Sequence, residues 1–181
     1  MKGIIDTGVS FSITKAVPLR FVGWFLAFFS IFSVCYSLAR GTVIERLVVD
    51  DVTVKTSAAV IQYFSPQLGV RADEHRIVSN RARLSILNGC EGIESIFLLL
   101  AAILAFPASW RRKLAGAVLG IVFVYLINQL RITSLFYLLL YDQPLFHFTH
   151  ALAAPTIIVM LIVVYFLYWA NRASQTDKHY G

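Results

Sequence analysis

Four long apolar runs, at residues 21–39, 93–109, 114–141 and 151–170, limit what this chain can fold into more than anything else in it. About 20 apolar residues in a helix cross the roughly 30 Å of a bilayer's hydrocarbon. Lipid offers no partners to backbone N–H and C=O groups, so such runs fold as helices that satisfy themselves. Of the 181 residues, 58% are hydrophobic and 14% charged, against about 45–50% apolar in an ordinary soluble domain. The pattern predicts a single-domain, all-α polytopic membrane protein with about four transmembrane helices. The first run is as long as a full span and no small-residue cleavage site follows it, so it reads as a retained helix and not a signal peptide. The third run would be about 42 Å long as a helix, so it must tilt, kink or project beyond the bilayer.

The polar segments set the topology. Residues 1–20 carry Lys2, Lys15 and Arg20 against Asp6 and read as a cytoplasmic leader. Arg111-Arg112-Lys113 and the 171–181 tail, with Arg172 and Lys178, belong on the same side by the positive-inside rule. Residues 40–89 and the 142–149 loop then face outward. The 40–89 segment mixes seven Lys/Arg with five acids. Within it Ile44, Leu47, Val48, Val52, Ala59, Val60 and Tyr63 outline an amphipathic helix lying along the membrane, broken at residues 64–69. Arg76-Ile77-Val78, a Ser79-Asn80 turn and residues 83–87 predict a short β-hairpin leading into Cys90. The net charge of +6 is dispersed around apolar runs, which records insertion topology and excludes nucleic acid as the expected partner. Lipid is the expected surrounding, and oligomeric state leaves no mark in the sequence.

At the mouth of the second run stands Asn88-Gly89-Cys90-Glu91-Gly92-Ile93-Glu94. A thiol and two carboxylates beside lipid are costly unless they face a polar interior or do chemistry. Arg131 lies 17 residues, about 26 Å, beyond Leu114, and His150 opens the fourth run. The topology therefore predicts that Cys90, Arg131 and His150 arrive at one depth on the outward side. Asn128, Arg131 and Ser134 form a polar stripe on an otherwise apolar helix, as expected of a face turned to a cavity. Cys90 is a candidate nucleophile, its thiolate favoured by a helix N-terminus and a nearby cation but opposed by Glu91 and Glu94. His150 or His147 would act as general acid and base, and Arg131 as a permanently charged oxyanion donor. Plainer readings stand beside these: Cys90 as packing, as for Cys35; Arg131 snorkelling to headgroups; both histidines merely interfacial. Cys90, His147 and His150 have the atoms of a zinc site, but no HExxH or CxxC spacing accompanies them, and no metal or other cofactor is expected. From other functional classes, the polar stripe would suit a small transporter or channel subunit with an Asn128/Arg131 path, or an assembly protein whose polar residues lock helices together.

Asn88-Gly89-Cys90-Glu91-Gly92, then Asn128-Gln129-Leu130-Arg131-Ile132, then an aromatic-flanked His150 before the last span, resemble the exosortase/archaeosortase family over roughly residues 70–170. About four spans set the chain beside the compact members, such as the H-type; many exosortases have about eight. The resemblance implies a bacterial cytoplasmic-membrane cysteine transpeptidase or peptidase, with Cys90, Arg131 and His150 catalytic, both termini cytoplasmic and the site facing outward across residues 90–170. Its substrates would be exported proteins ending in a short motif, a transmembrane helix and a basic cluster. These would be cut through a thioester on Cys90 and passed to an envelope acceptor. Many members carry Glu after the histidine, where this chain has Ala151, so His147 stays open as an alternative. Asn88, Glu91, Glu94 and Asn128 are expected to support the site or contact substrate.

Overall fold

The computed structural model describes residues 19–86 and 92–177. Helix α1 (Leu19–Ala39) is followed by a nearly continuous helical segment: α2 (Val43–Arg46), a π-helical stretch (Leu47–Val54) and α3 (Lys55–Phe64). A 3₁₀ turn (Pro66–Leu68) leads to strands β1 (Arg71–Asp73), β2 (Arg76–Val78) and β3 (Arg83–Ser85). Helices α4 (Ile93–Ala105) and α5 (Trp110–Tyr141) come next. The last helical rod is α6 (Gln143–Phe148), a π-helical turn (Thr149–Ala153) and α7 (Ala154–Asp177).

Among the described residues three helical segments are long and apolar enough to cross a membrane: Leu19–Ala39, Trp110–Tyr141 and Gln143–Gln175. The second run, also expected as a span, forms a helix only over Ile93–Ala105, short of a full crossing. Pro107 explains the early stop. The ring of a proline disfavours the α region for the residue before it, and Phe106 is extended at φ −73°, ψ 135°. Despite its length α4 is central, lying against α1, α5 and α7. Its Leu99 and Ile103 meet Val124, Ile158 and Ile162 in an apolar core. Close approach there depends on small residues, as is usual between helices in lipid. A Cβ on Gly116 would lie 2.1 Å from Trp169 Nε1, and one on Gly120 2.6 Å from Leu99 Cδ2. At this end of the bundle Trp169 Nε1 donates to the Arg112 carbonyl at 3.3 Å, and Tyr165 OH to that of Gly116 at 2.7 Å.

A second core resolves the excess length of the third run, which projects past the first core without breaking. Ile132 and Phe136 of α5 are buried against Val49, Val54, Ile61, Ile77 and Ile86, so the far third of α5 carries the 43–86 segment. A helix does run through this segment, with a π-helical middle, but Leu47, Val52, Ala59 and Tyr63 of the expected apolar face are exposed, and the side that is buried against α5 is Val49, Val54, Ala58 and Ile61. Tyr125 OH donates to the Val52 carbonyl at 2.9 Å, Ser57 Oγ to Gln129 Oε1 at 2.6 Å, and Ser65 Oγ meets Tyr137 OH at 2.8 Å. The expected hairpin is β2–β3, with Ile77 opposite Leu84. Ser79 shapes its turn, accepting from the backbone N–H groups of Arg81 and Ala82. To it is added an unexpected strand, β1, with Ala72 opposite Ile77. Gln62 holds the loop before β1 by accepting from Val70 N at 2.7 Å. His75 at the β1–β2 turn bonds Asp50 of the π-helical stretch.

The loop expected at residues 142–149 is a second departure. Asp142 accepts from Leu145 N at 3.0 Å and caps α6, with Pro144 in the first turn. Helix therefore runs through both histidines. Where α6 meets α7 the turn widens to π form, and Pro155, which has no N–H to close an ordinary α turn, follows directly.

Candidate active site

The two cores stack along α5, and a group of polar residues within its apolar run lies where they meet. Val124 ends one core and Ile132 begins the other; between them come Asn128, Gln129 and Arg131. Asn128 and Gln129 are buried, at 2% and 8% exposure. Gln129 is held by Ser57. Asn128 is covered by Gly92, the residue that starts α4 in a left-handed conformation, φ 80°. A Cβ on Gly92 would come 2.7 Å from Asn128 Cγ and 2.9 Å from its Nδ2. A non-glycine residue in this conformation costs roughly 1–2 kcal/mol, and the buried Asn128 would also have to shift. Gly92→Ala is therefore expected to lower the thermal unfolding midpoint by about 5 °C and to reduce activity at least about tenfold, since a group moved by even about 1 Å loses catalytic alignment. Unfolding in detergent checks the first figure and turnover the second.

Asn88, Cys90 and Glu91 lie outside the described residues, and so does the end of the run 83–87. The described residues flanking them both reach α5. Ile86 packs in the core with Ile132, and Gly92 sits on Asn128, one helical turn away.

A cleft of about 260 Å³ opens at this level. It is lined by Gly92, Glu94, Ser95 and Leu98 of the α4 segment, Arg131 of α5, Phe29 of α1, and Pro155, Ile158 and Val159 of α7. Glu94 and Arg131 thus share one cavity in which the other side chains, Ser95 apart, are apolar. His150 is half-buried in the π-helical turn five residues before Pro155. Its ring stacks on Phe146, centroids 5.6 Å apart and planes within 6°. Its Nδ1 is buried and has no hydrogen-bond partner among the described residues. His147 is exposed, its ring edge-on to Phe146 at 5.4 Å. Of the stripe expected on α5, Asn128 is buried, Arg131 half-buried and Ser134 exposed, so only its first two members face the interior.

Several cleft residues carried no signal that motif reading could use. Phe29, Ser95 and Leu98 are ordinary members of apolar runs. Pro155 did carry one, since proline near the start of a span marks a locally irregular helix. The Ser57–Gln129 bond joins residues 72 apart, and neither stands out alone.

A helical membrane protein with a charged cleft at the level where its two cores meet is the class that fold and site define. The chain matches the family model of the transmembrane exosortases over residues 10–175. It belongs to that family, whose members are membrane proteases or transpeptidases. Comparison with curated proteins and with solved structures gave no match.

Proposed function

We propose that the protein is a cysteine transpeptidase of the bacterial cytoplasmic membrane, with its site facing outward. It would cut C-terminal sorting signals of exported proteins through a thioester on Cys90. The observation that carries this reading is the cleft that Gly92, Glu94 and Arg131 share, with the half-buried His150 on the same helical rod five residues before Pro155 of its lining. Cys90 stands two residues before Gly92 in the sequence, so no more than two peptide units separate the thiol-bearing residue from that cleft. Family membership supplies the reaction class.

The steps follow from the groups present. The Cys90 thiolate attacks the scissile carbonyl carbon, and the negative charge that develops on the carbonyl oxygen is met by Arg131. Collapse breaks the C–N bond; His150 gives its proton to the departing amine, leaving a thioester. An acceptor amine then attacks the thioester carbon, passes its proton to His150 and releases the Cys90 thiolate. His150 suits this role better than His147 because it is half-buried with an Nδ1 that has no hydrogen-bond partner among the described residues, whereas His147 is exposed. Asn128 supports Gly92 from below, and Glu94 contributes the cleft's negative end.

The test is a trapped intermediate. Membranes from cells expressing the protein with a reporter that ends in an apolar helix and a basic cluster are quenched in acid, and peptides are read by mass spectrometry. An acyl adduct on Cys90 that hydroxylamine releases is the expected result. Reporter cleavage with no adduct, or with the adduct on another side chain, overturns the mechanism.

A further inference from the structure

The helices around the cleft are closed at one end and parted at the other. At the Trp110 end, Phe21 of α1 stacks on Phe166 of α7 at 6.0 Å, and Phe106 packs edge-on to both Phe166 and Trp169. Phe21–Phe166 is the one aromatic contact between α1 and α7 among the described residues. Nearer the Arg131 end the cleft lies between the same two helices, with Phe29 on one side and Pro155, Ile158 and Val159 on the other. Phe29 is midway along α1, so the cleft reaches well below the level of the charged groups.

Helix α1 is poorly anchored on this side. Its one buried residue is Tyr36, which packs with Phe32 around Phe97 of α4. Val159 across the cleft is 48% exposed. A helix packed along one neighbour, whose aromatic contact with the other lies near its end, can swing from that other helix without breaking a core.

We propose that the cleft is a lateral portal: the C-terminal segment of the substrate leaves the lipid between α1 and α7 and lies with its apolar helix against Phe29, Leu98 and Val159 and its polar stem at Arg131 and Glu94. The proposal rests on the peptidase reading and adds the route and the docking surface. The lining fixes the occupant. A guanidinium, a carboxylate and a hydroxyl gather at one end and apolar side chains line the rest, which complements a peptide whose polar stem precedes a membrane helix. Direct access from lipid also spares that helix the cost of passing through water.

The molecule contains its own comparison. A second groove, about 380 Å³, runs between the π-helical stretch, α4 and α5, lined by Val52, Ile96, Phe97, Val122 and Tyr125. It is larger and almost wholly apolar, and neither Arg131 nor Glu94 borders it. It matches an acyl chain and lacks anything for a polar stem.

The experiment uses the full chain in membranes, as Cys90→Ala to hold uncut reporter. A photoreactive benzoylphenylalanine replaces Phe29, Val159, Val122 or, as a lipid-facing control, Val34. Crosslinks to the reporter at positions 29 and 159, at least tenfold above those at 122 and 34, are expected. Crosslinks concentrated at position 122 move the substrate to the other groove and overturn the portal. So does a uniform yield at all four positions, or none at any of them, because lipid then fills the cleft. Reporter cleavage without the photoreactive residue is scored in parallel. If Cys90→Ala cuts as well as wild type while positions 29 and 159 crosslink, the portal stands and the thioester falls.

Discussion

Processing of the reporter is expected to cease, a loss of at least about 10³-fold, when Cys90 is replaced by Ala, with the protein still inserted and folded. Removing one sulfur atom changes little volume, so a structural role for the thiol would survive the exchange with at most a small loss of stability. The covalent step would not survive, because alanine has nothing to form the acyl bond. Cys90→Ser separates the cases further. Serine keeps the size but, without a much stronger base, is only weakly ionised at neutral pH. Near-complete loss in both variants, with unchanged amounts in the membrane and an unchanged unfolding midpoint, is the outcome the thioester demands. Wild-type processing by Cys90→Ala would sink it, and a helix-locking assembly protein would predict that result.

Arg131→Ala carries the second largest effect, a fall of about 10²–10³-fold in turnover, the size associated with losing one oxyanion donor. The effect should appear in kcat more than in KM if Arg131 meets charge that develops only in the transition state. Arg131→Lys is expected to recover only a small part of the loss. Lysine keeps the charge but loses the planar fork that presents two N–H groups at a fixed angle. Single-turnover rates in detergent or reconstituted vesicles provide the measurement. A transporter would give another pattern: Arg131→Ala would abolish ion flux into vesicles while Cys90→Ala left it intact. Normal rates in Arg131→Ala would remove the arginine from the mechanism.

The sequence disclosed the helices through their apolar runs and the hairpin through its Ser79 turn, but it was silent on how these are joined. Expected bounds for α1 and α5 fall within a few residues of the observed ones because nothing interrupts their hydrophobic runs. The second span ended early because Pro107 acts on Phe106 before it, a rule available from the sequence that the continuing apolar run concealed. The helix through residues 143–150 was also announced, by Asp142 as cap and Pro144 in the first turn. Strand β1 was not. Arg71-Ala72-Asp73 has too few apolar residues to alternate, and it becomes a strand only by pairing with β2. The π-helical turns are equally invisible, since they change hydrogen-bond register without changing the apolar pattern. At the site, charge in an apolar run was enough to single out Arg131, and position at a span's mouth to single out Glu94. Gly92 drew attention only as a neighbour of Cys90, and its contact with Asn128 depends on a backbone angle that side-chain chemistry does not reveal.

Helix α5 runs unbroken from Trp110 to Tyr141, with Arg131 21 residues from its start, about 32 Å along the axis. That length nearly equals the thickness of a bilayer's hydrocarbon layer. Under the proposed function the helix would act as a ruler, with its zero at the Trp110-Arg111-Arg112-Lys113 cluster and its mark at the guanidinium. A substrate whose basic cluster stops at the same zero would be measured against that mark. The bond presented for cleavage would then depend on how many residues of apolar helix separate it from the basic cluster, and selectivity would contain a length term beside any term for sequence.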